Sequence, residues 1–338
     1  MAEPIAIAVL GAGSWGTALA IQFARTGTPT VLWGREDDHL DRLAEDRENQ
    51  HYLPGARFPE GLAVEPDLET ALETAPMVLV AVPSHAFRAT LEMIKPLLRS
   101  DARVAWATKG FEVESGMLPH QIAAKVLGPD IATAVLSGPT FAKEVGAGLP
   151  TAMTVASVDP DFANELAESI SGDRFRAYTS NDMIGVEVGG AVKNALAIGA
   201  GICDGLGFGA NTRVALITRG LVEMTRLGVA LGAQPATFMG LAGMGDLVLT
   251  CTDNLSRNRR MGLALAAGST VAEAEASIGQ VVEGVKAAEA VHRVAASVGI
   301  EMPICEQIYR ILYQGEDPRA AVSTLMQRDL KSEFAPGS

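Results

Sequence analysis

The chain has 338 residues and a net charge of −13, from 40 acidic against 27 basic side chains. That length favours two packed domains over one. The acidic excess argues against a general nucleic-acid or anionic-membrane binder, which needs a basic surface, so an anionic ligand must be held by a few locally placed cations. Cys203, Cys251 and Cys305 lie far apart, form no CxxC pair and leave an odd number, which argues against a disulfide framework or zinc cluster and fits a reducing cytoplasm. The histidines His39, His51, His85, His120 and His292 show no metal-ligand spacing, so no metal site is expected.

The apolar stretch from Pro4 to Ala24 imitates a signal peptide or membrane span, but Glu3 stands where a basic flank belongs and Gly11, Gly13 and Gly16 interrupt it. No membrane insertion is expected. Residues 5–10, IAIAVL, read as a strand, and Trp15, Leu19 and Phe23 recur at helical spacing over 14–26. Between them lies Gly11-Ala12-Gly13-Ser14-Trp15-Gly16. A lone GxGxxG is weak, whereas one placed between a strand and a helix reads as a dinucleotide fingerprint. Gly11 permits the tight turn, Gly13 lets a pyrophosphate approach the backbone, and Gly16 lets the helix lie close to the sheet.

The next run, PTVLW at 29–33, ends in Gly34-Arg35-Glu36. An acidic residue there would bind the ribose hydroxyls of NAD, whereas Arg35 can hold the 2′-phosphate of NADP. The reading is NADP or NAD with NADPH favoured; Glu36 beside it, and a merely solvated Arg35, leave the choice open. Runs at 77–82, 103–107 and 131–136 alternate with helical segments, which implies a doubly wound parallel sheet. Residues 150–157 and the segment around 174–179 complete it.

Such a sheet binds ligands beyond the carboxyl ends of its strands. There stand VPSHAFR, TKGFE and SGPTFAKE, in which Lys109 can reach a crevice mouth and Ser137, Gly138 and Thr140 offer amides and hydroxyls to an anionic or polyol ligand.

Past about residue 180 the strands give way to long Ala/Gly/Leu-rich segments. Val214, Ile217, Leu221, Met224 and Leu227 mark an amphipathic helix, with Arg219, Glu223 and Arg226 between them. The expected architecture is an α/β Rossmann-type domain over 1–180 followed by an all-α domain over 181–338, with the tail EFAPGS frayed. In EVGGAVKNALAIGAG, Lys193 and Asn194 lie among small residues that leave the lysine little solvent. Lysine ordinarily titrates near ~10.4, and burial can lower it toward ~7–8, where it exchanges protons with an alcohol or carbonyl oxygen. A surface lysine is the plainer alternative. GMGD places Asp246 in a glycine-rich turn. In NLSRNRR, Ser256, Arg257 and Asn258 open a helix and combine a guanidinium with unpaired amides, which suits a phosphate monoester. Helix capping by Ser256 with solvated arginines explains the same residues.

The motifs GAGSWGTALA, VPSHAFR, TKGFE, SGPTFAKEV, EVGGAVKNALAIGAGICDGLGFGANTR, FMGLAGMGDLVLTC and SRNRRMG, in this order, resemble those of bacterial NAD(P)-dependent glycerol-3-phosphate dehydrogenases over nearly the whole chain. The resemblance implies that Ser14, Trp15, Arg35 and Ala142 contact the cofactor, together with Arg257, and that Lys109 borders cofactor and substrate. It implies that Gly138 and Thr140 touch the substrate, that Lys193 is the proton donor and acceptor supported by Asp246, and that Ser256, Arg257 and Asn258 hold the phosphate end. Val281 and Glu283 would close over the nicotinamide side. It further implies a small phosphorylated substrate and a role in glycerophospholipid synthesis, while a homodimer through the helical domain is a reasonable expectation. The nearest rival, a β-hydroxyacid dehydrogenase, usually carries its asparagine one helical turn after the lysine, whereas Lys193 and Asn194 are adjacent. A cofactor-binding sensor would have no use for Lys193, Asp246 and Arg257.

Overall fold

A computed structural model describes residues 7–329. Ile5 and Ala6 of the expected first strand, and the tail EFAPGS, lie outside the described residues. The chain divides into two compact units: unit 1 holds the chain up to Lys109 and Met117–Glu187, and unit 2 holds Gly110–Gly116 and the chain from Val188.

Unit 1 is built on eight strands, β1 Ile7–Leu10, β2 Thr30–Trp33, β3 Leu62–Val64, β4 Met77–Val80, β5 Arg103–Trp106, β6 Thr133–Ser137, β7 Thr151–Ala156 and β8 Phe175–Ser180. They form one sheet in the order β3-β2-β1-β4-β5-β6-β7-β8. Strands β1 and β4 are buried along their whole length, as interior strands of a parallel sheet covered on both faces must be. Leu10 lies opposite Trp33 on one side and Val80 on the other, so the strand order reverses at β1. Helices α1 Ser14–Arg25, α2 Asp37–Asp46, α3 Leu68–Thr74, α4 Ser84–Ile94, α5 Pro119–Leu127, α6 Ala142–Gly146 and α7 Pro160–Ile170 connect the strands.

Two features of the sheet depart from the sequence reading. Strand β3 was not anticipated, because three residues with only Leu62 buried carry no periodicity. The pairing of β6 with β7 is antiparallel. Between them α6 spans only five residues and does not serve as a crossover helix. It packs on α1, where the Arg25 guanidinium donates to the carbonyls of Val145 and Gly146. The chain therefore turns back beside the strand it has just left.

Unit 2 is helical: α8 Met183–Gly205, whose first turn and a half belongs to unit 1, α9 Gly209–Ala230, α10 Asp246–Thr252, α11 Arg257–Ala266, α12 Val271–Ile278, α13 Glu283–Ser297, α14 Pro303–Tyr313 and α15 Pro318–Met326. Among the described residues α8 alone is long and apolar enough to cross a membrane, and its most apolar window is wholly buried inside the protein. Its packing partners come unusually close. A Cβ on Gly201 would overlap the Arg259 carbonyl of α11, and one on Gly262 would overlap the Ile198 carbonyl of α8, so the two helices meet backbone to backbone.

The apolar stripe expected on α9 is buried only from its middle onward. Leu221, Met224 and Leu227 are inside, Ile217 is half-buried and Val214 is 60% exposed. Glu223, read as a polar-side residue, is instead buried. Its carboxylate accepts from the main-chain N–H groups of Ile304 at 2.7 Å and Cys305 at 3.2 Å, capping the first turn of α14 from another helix. Pro303 precedes them and has no N–H to satisfy.

Burial pushes the Glu223 carboxyl up from its ordinary 4.5 to about 7, against the opposing pull of those two N–H bonds, the Cys305 side chain and Arg226. The folded chain therefore holds this proton more tightly than the unfolded chain. The stabilisation is present below about pH 4.5 and is lost as pH rises through about 7. Thermal unfolding between pH 4.5 and 8 should show the wild type losing on the order of 3 kcal/mol more than Glu223→Gln; parallel losses in the two proteins would remove the assignment.

Candidate active site

In unit 1 the glycine loop lies at the strand reversal. Gly11 follows β1 with φ of 122°, a conformation that side chains rarely adopt, and a Cβ there would stand 2.5 Å from the Ala81 carbonyl just after β4. A Cβ on Gly16 would overlap the Gly11 carbonyl, so α1 starts pressed against the loop. Gly13 differs from both. Its φ is −79°, and a Cβ there would meet nothing within 4 Å among the described residues beyond its chain neighbours, so neither backbone nor packing demands a glycine. Ser14 donates to the Tyr52 carbonyl at 2.8 Å, and Asn49 donates to the Ala12 carbonyl at 2.9 Å and to Thr17 Oγ1 at 2.8 Å. The buried Trp15 Nε1 has no hydrogen-bond partner among the described residues. The buried Gly34 packs on Ala12, and the next residue, Arg35, is exposed and makes no hydrogen bond or ion pair to the described protein.

Two more unit 1 side chains converge on one carbonyl. Lys109 Nζ lies 3.5 Å from Gly138 O, and the Thr140 hydroxyl donates to the same oxygen at 3.2 Å. A Cβ on Gly138 would lie 2.9 Å from Met153 Cα, which seats the loop against β7. Ser137 Oγ, fully inside, has no partner among the described residues. Ala142 is half-buried and opens α6.

Unit 2 holds the lysine. Lys193, in the middle of α8, is 7% exposed. Its ammonium donates to Asp246 Oδ1 at 2.5 Å and to Thr250 Oγ1 at 3.1 Å. Asp246 begins α10 directly after a π-helical turn, Leu241–Gly245, rather than sitting in an open glycine turn. The Thr250 hydroxyl lies 2.6 Å from the Asp246 main-chain carbonyl one turn back, and a proton given to that carbonyl leaves a lone pair facing the ammonium. Thr250 was missed in the sequence, although it stands four residues after Asp246 on one helix face and could have been found from that spacing.

The start of α11 offers a second cation. Ser256 caps the helix through its hydroxyl to the Arg259 N–H at 3.2 Å. The main-chain N–H groups of Arg257 and Asn258, on the first turn, have no intrahelical acceptor. The half-buried Arg257 guanidinium makes no hydrogen bond or ion pair to the described protein. The Asn258 side chain is committed elsewhere: its Nδ2 donates to Asn194 Oδ1 at 2.8 Å and its Oδ1 accepts from the Gly284 N–H at 2.9 Å. Asn194 and Asn258 thus join α8, α11 and α13. Glu283 opens α13, Val281 is 53% exposed, and neither side chain forms a hydrogen bond or ion pair among the described residues.

The family models for the N-terminus and C-terminus of NAD-dependent glycerol-3-phosphate dehydrogenase match residues 6–163 and 182–323. The chain is 58% identical over 334 residues to the glycerol-3-phosphate dehydrogenase [NAD(P)+] of Aeromonas salmonicida, covering 98% of this chain and 100% of that one. The Shewanella baltica protein of the same name is 58% identical over 328 residues, 97% of each chain. A crystal structure of glycerol-3-phosphate dehydrogenase from Coxiella burnetii superposes with a TM-score of 0.93 at 49% identity, over 96% of this chain and 99% of that one. On this match in sequence and in fold, the chain belongs to the NAD-dependent glycerol-3-phosphate dehydrogenase family.

Proposed function

We propose that the chain interconverts dihydroxyacetone phosphate and sn-glycerol 3-phosphate with Lys193 as general acid and base, and that NADPH is the favoured cofactor. Residues 1–180 bind the cofactor and residues 181–338 carry the proton and phosphate chemistry. The carrying observation is the buried Lys193 ammonium, oriented by Asp246 and Thr250 in the unit where the half-buried Arg257 guanidinium has no hydrogen bond or ion pair among the described residues.

The glycine loop fits a dinucleotide on two grounds. Among the described residues neither packing nor φ requires a glycine at Gly13, and Trp15, two positions on, has a buried Nε1 donor without an acceptor. Gly11, Ser14, Trp15 and Gly16 would hold the pyrophosphate side, Ala142 and Lys109 would border the cofactor, and Arg35 would take the 2′-phosphate. Val281 and Glu283 would cover the nicotinamide side. Bound nicotinamide supplies the hydride that C2 of the ketone receives.

As C2 is reduced, negative charge grows on the carbonyl oxygen, and Lys193 donates the proton that neutralises it. In the oxidising direction Lys193 takes the hydroxyl proton instead. Asp246 and Thr250 keep the ammonium aimed at one point, so it does not reorganise during transfer. Arg257 and the first-turn N–H groups of α11, braced by Ser256 and Asn258, hold the phosphate, while Gly138 and Thr140 touch the carbon skeleton. Anchoring the phosphate fixes the reacting carbon, so that binding is expressed in turnover as well as affinity. The product is the glycerol backbone of glycerophospholipids, which places the enzyme at the entry to their synthesis. Three free cysteines, all buried, support a reducing compartment such as the cytoplasm.

Dihydroxyacetone phosphate-dependent oxidation of NADPH and NADH, followed by absorbance, tests the reaction; tight NADPH binding without turnover would favour a sensor. Lys193→Ala should lower kcat by roughly 10²–10⁴-fold, and near-normal turnover would refute the proton role. Arg257→Ala should raise KM for the phosphorylated ketone and lower kcat, and an unchanged KM would refute the phosphate site. Arg35→Ala should raise the KM for NADPH about tenfold or more while sparing NADH; equal effects on both cofactors would remove the 2′-phosphate assignment.

A further inference from the structure

Arg259 stands two residues beyond Arg257, which on a helix turns the side chain by about 200°. It is 8% exposed and points into the protein. Its Nε donates to the Cys251 carbonyl at 3.1 Å, its Nη1 to the Asn254 side chain, and its Nη2 to Asp204 Oδ2 at 2.5 Å. Cys251 belongs to the last turn of α10, Asn254 to the connection between α10 and α11, and Asp204 to the last turn of α8. Asp204 is also gripped by Arg213 of α9 at 2.8 and 2.9 Å. One planar guanidinium therefore ties the end of the helix bearing Asp246 and Thr250 to the start of the helix bearing Arg257, and anchors both to α8.

We infer that Arg259, held by Asp204, is a positioning residue that sets the separation between the proton-transfer end and the phosphate end of the substrate site. The inference rests on the reading of Arg257 as the phosphate residue. In a three-carbon phosphate the distance from carbonyl oxygen to phosphate is limited by its bonds, so a connection that drifts lets only one end engage at a time. A misplacement of about 1 Å costs on the order of 10²-fold in rate. The loss is confined to substrates that carry the phosphate, because a ketone without one has nothing to bring into register. Lysine does not replace this arginine: it keeps the charge against Asp204 but has no fork to reach Cys251 and Asn254 together.

The test compares dihydroxyacetone phosphate with dihydroxyacetone on wild type, Arg259→Lys, Asn254→Ala, Arg213→Lys and Arg257→Ala, with thermal midpoints measured alongside. Arg259→Lys should lower kcat/KM for the phosphorylated ketone at least about tenfold and leave the unphosphorylated one within about twofold. Asn254→Ala, at an exposed position that removes no buried charge, should shift the ratio in the same direction by less, and it carries the test if Arg259→Lys does not fold. Arg213→Lys, which touches Asp204 but not the α10–α11 connection, should leave the ratio of the two ketones unchanged. Equal losses on both ketones, or none, would overturn the inference. If Arg257→Ala is selective for the phosphorylated ketone and the Arg259 and Asn254 variants are not, this inference alone falls. If Arg257→Ala is itself unselective, the phosphate reading falls and takes the inference with it.

Discussion

Unit 2 is arranged around an ammonium kept out of water. Removing a charge from solvent costs several kcal/mol even after relaxation, and a partner offsets that only when the geometry is good and the remaining donors are satisfied. Lys193 meets Asp246 at 2.5 Å and Thr250 at 3.1 Å, and both partners ride on α10. The backbone has to bring α10 that close. A Cβ on Gly189 would overlap the Ala242 carbonyl, so the π-helical turn that delivers Asp246 rests directly on α8, one turn from the lysine. Further along α8, the Gly201 and Gly262 contacts seat α11 in the same way. Small residues along one helix thus serve an electrostatic purpose: they set the distance at which a buried pair can exist.

The overall charge makes a related demand. A protein at −13 repels an approaching phosphate at long range, yet at physiological salt such repulsion fades over about 8 Å. What counts for binding is then the cation within contact distance. Among the described residues Arg35 of unit 1 and Arg257 of unit 2 make no hydrogen bond or ion pair, while Arg259 and Arg213 of unit 2 both hold Asp204.

Much of this was legible in the sequence because it is local. The loop from Gly11 to Gly16 reads as strand, turn and helix within a dozen residues, and the small neighbours of Lys193 announce a lysine with little room for water. The doubly wound sheet followed from alternation, as far as apolar runs exist to alternate. What escaped depends on residues far apart in the chain. Nothing near Glu223 signals that it caps α14, since its partners lie some 80 residues onward. Asn49 bracing the glycine loop, the Asn194–Asn258–Gly284 chain and the Asp204–Arg259 clamp are of the same kind. The antiparallel β7 was hidden differently, because an apolar run specifies a buried strand and not its direction.

Residues 110–116 belong with unit 2 although they are flanked on both sides by unit 1. Arg293 of α13 donates to the Val113 carbonyl at 3.3 Å, and Gly116 packs beside Val294 of the same helix. During translation this short segment leaves the ribosome long before α13 exists. The early part of the chain must therefore carry an unfinished seam until the helix that closes it has been made. No single cut divides the protein into two self-sufficient pieces, because each half would hold, or lack, a stretch that completes the other.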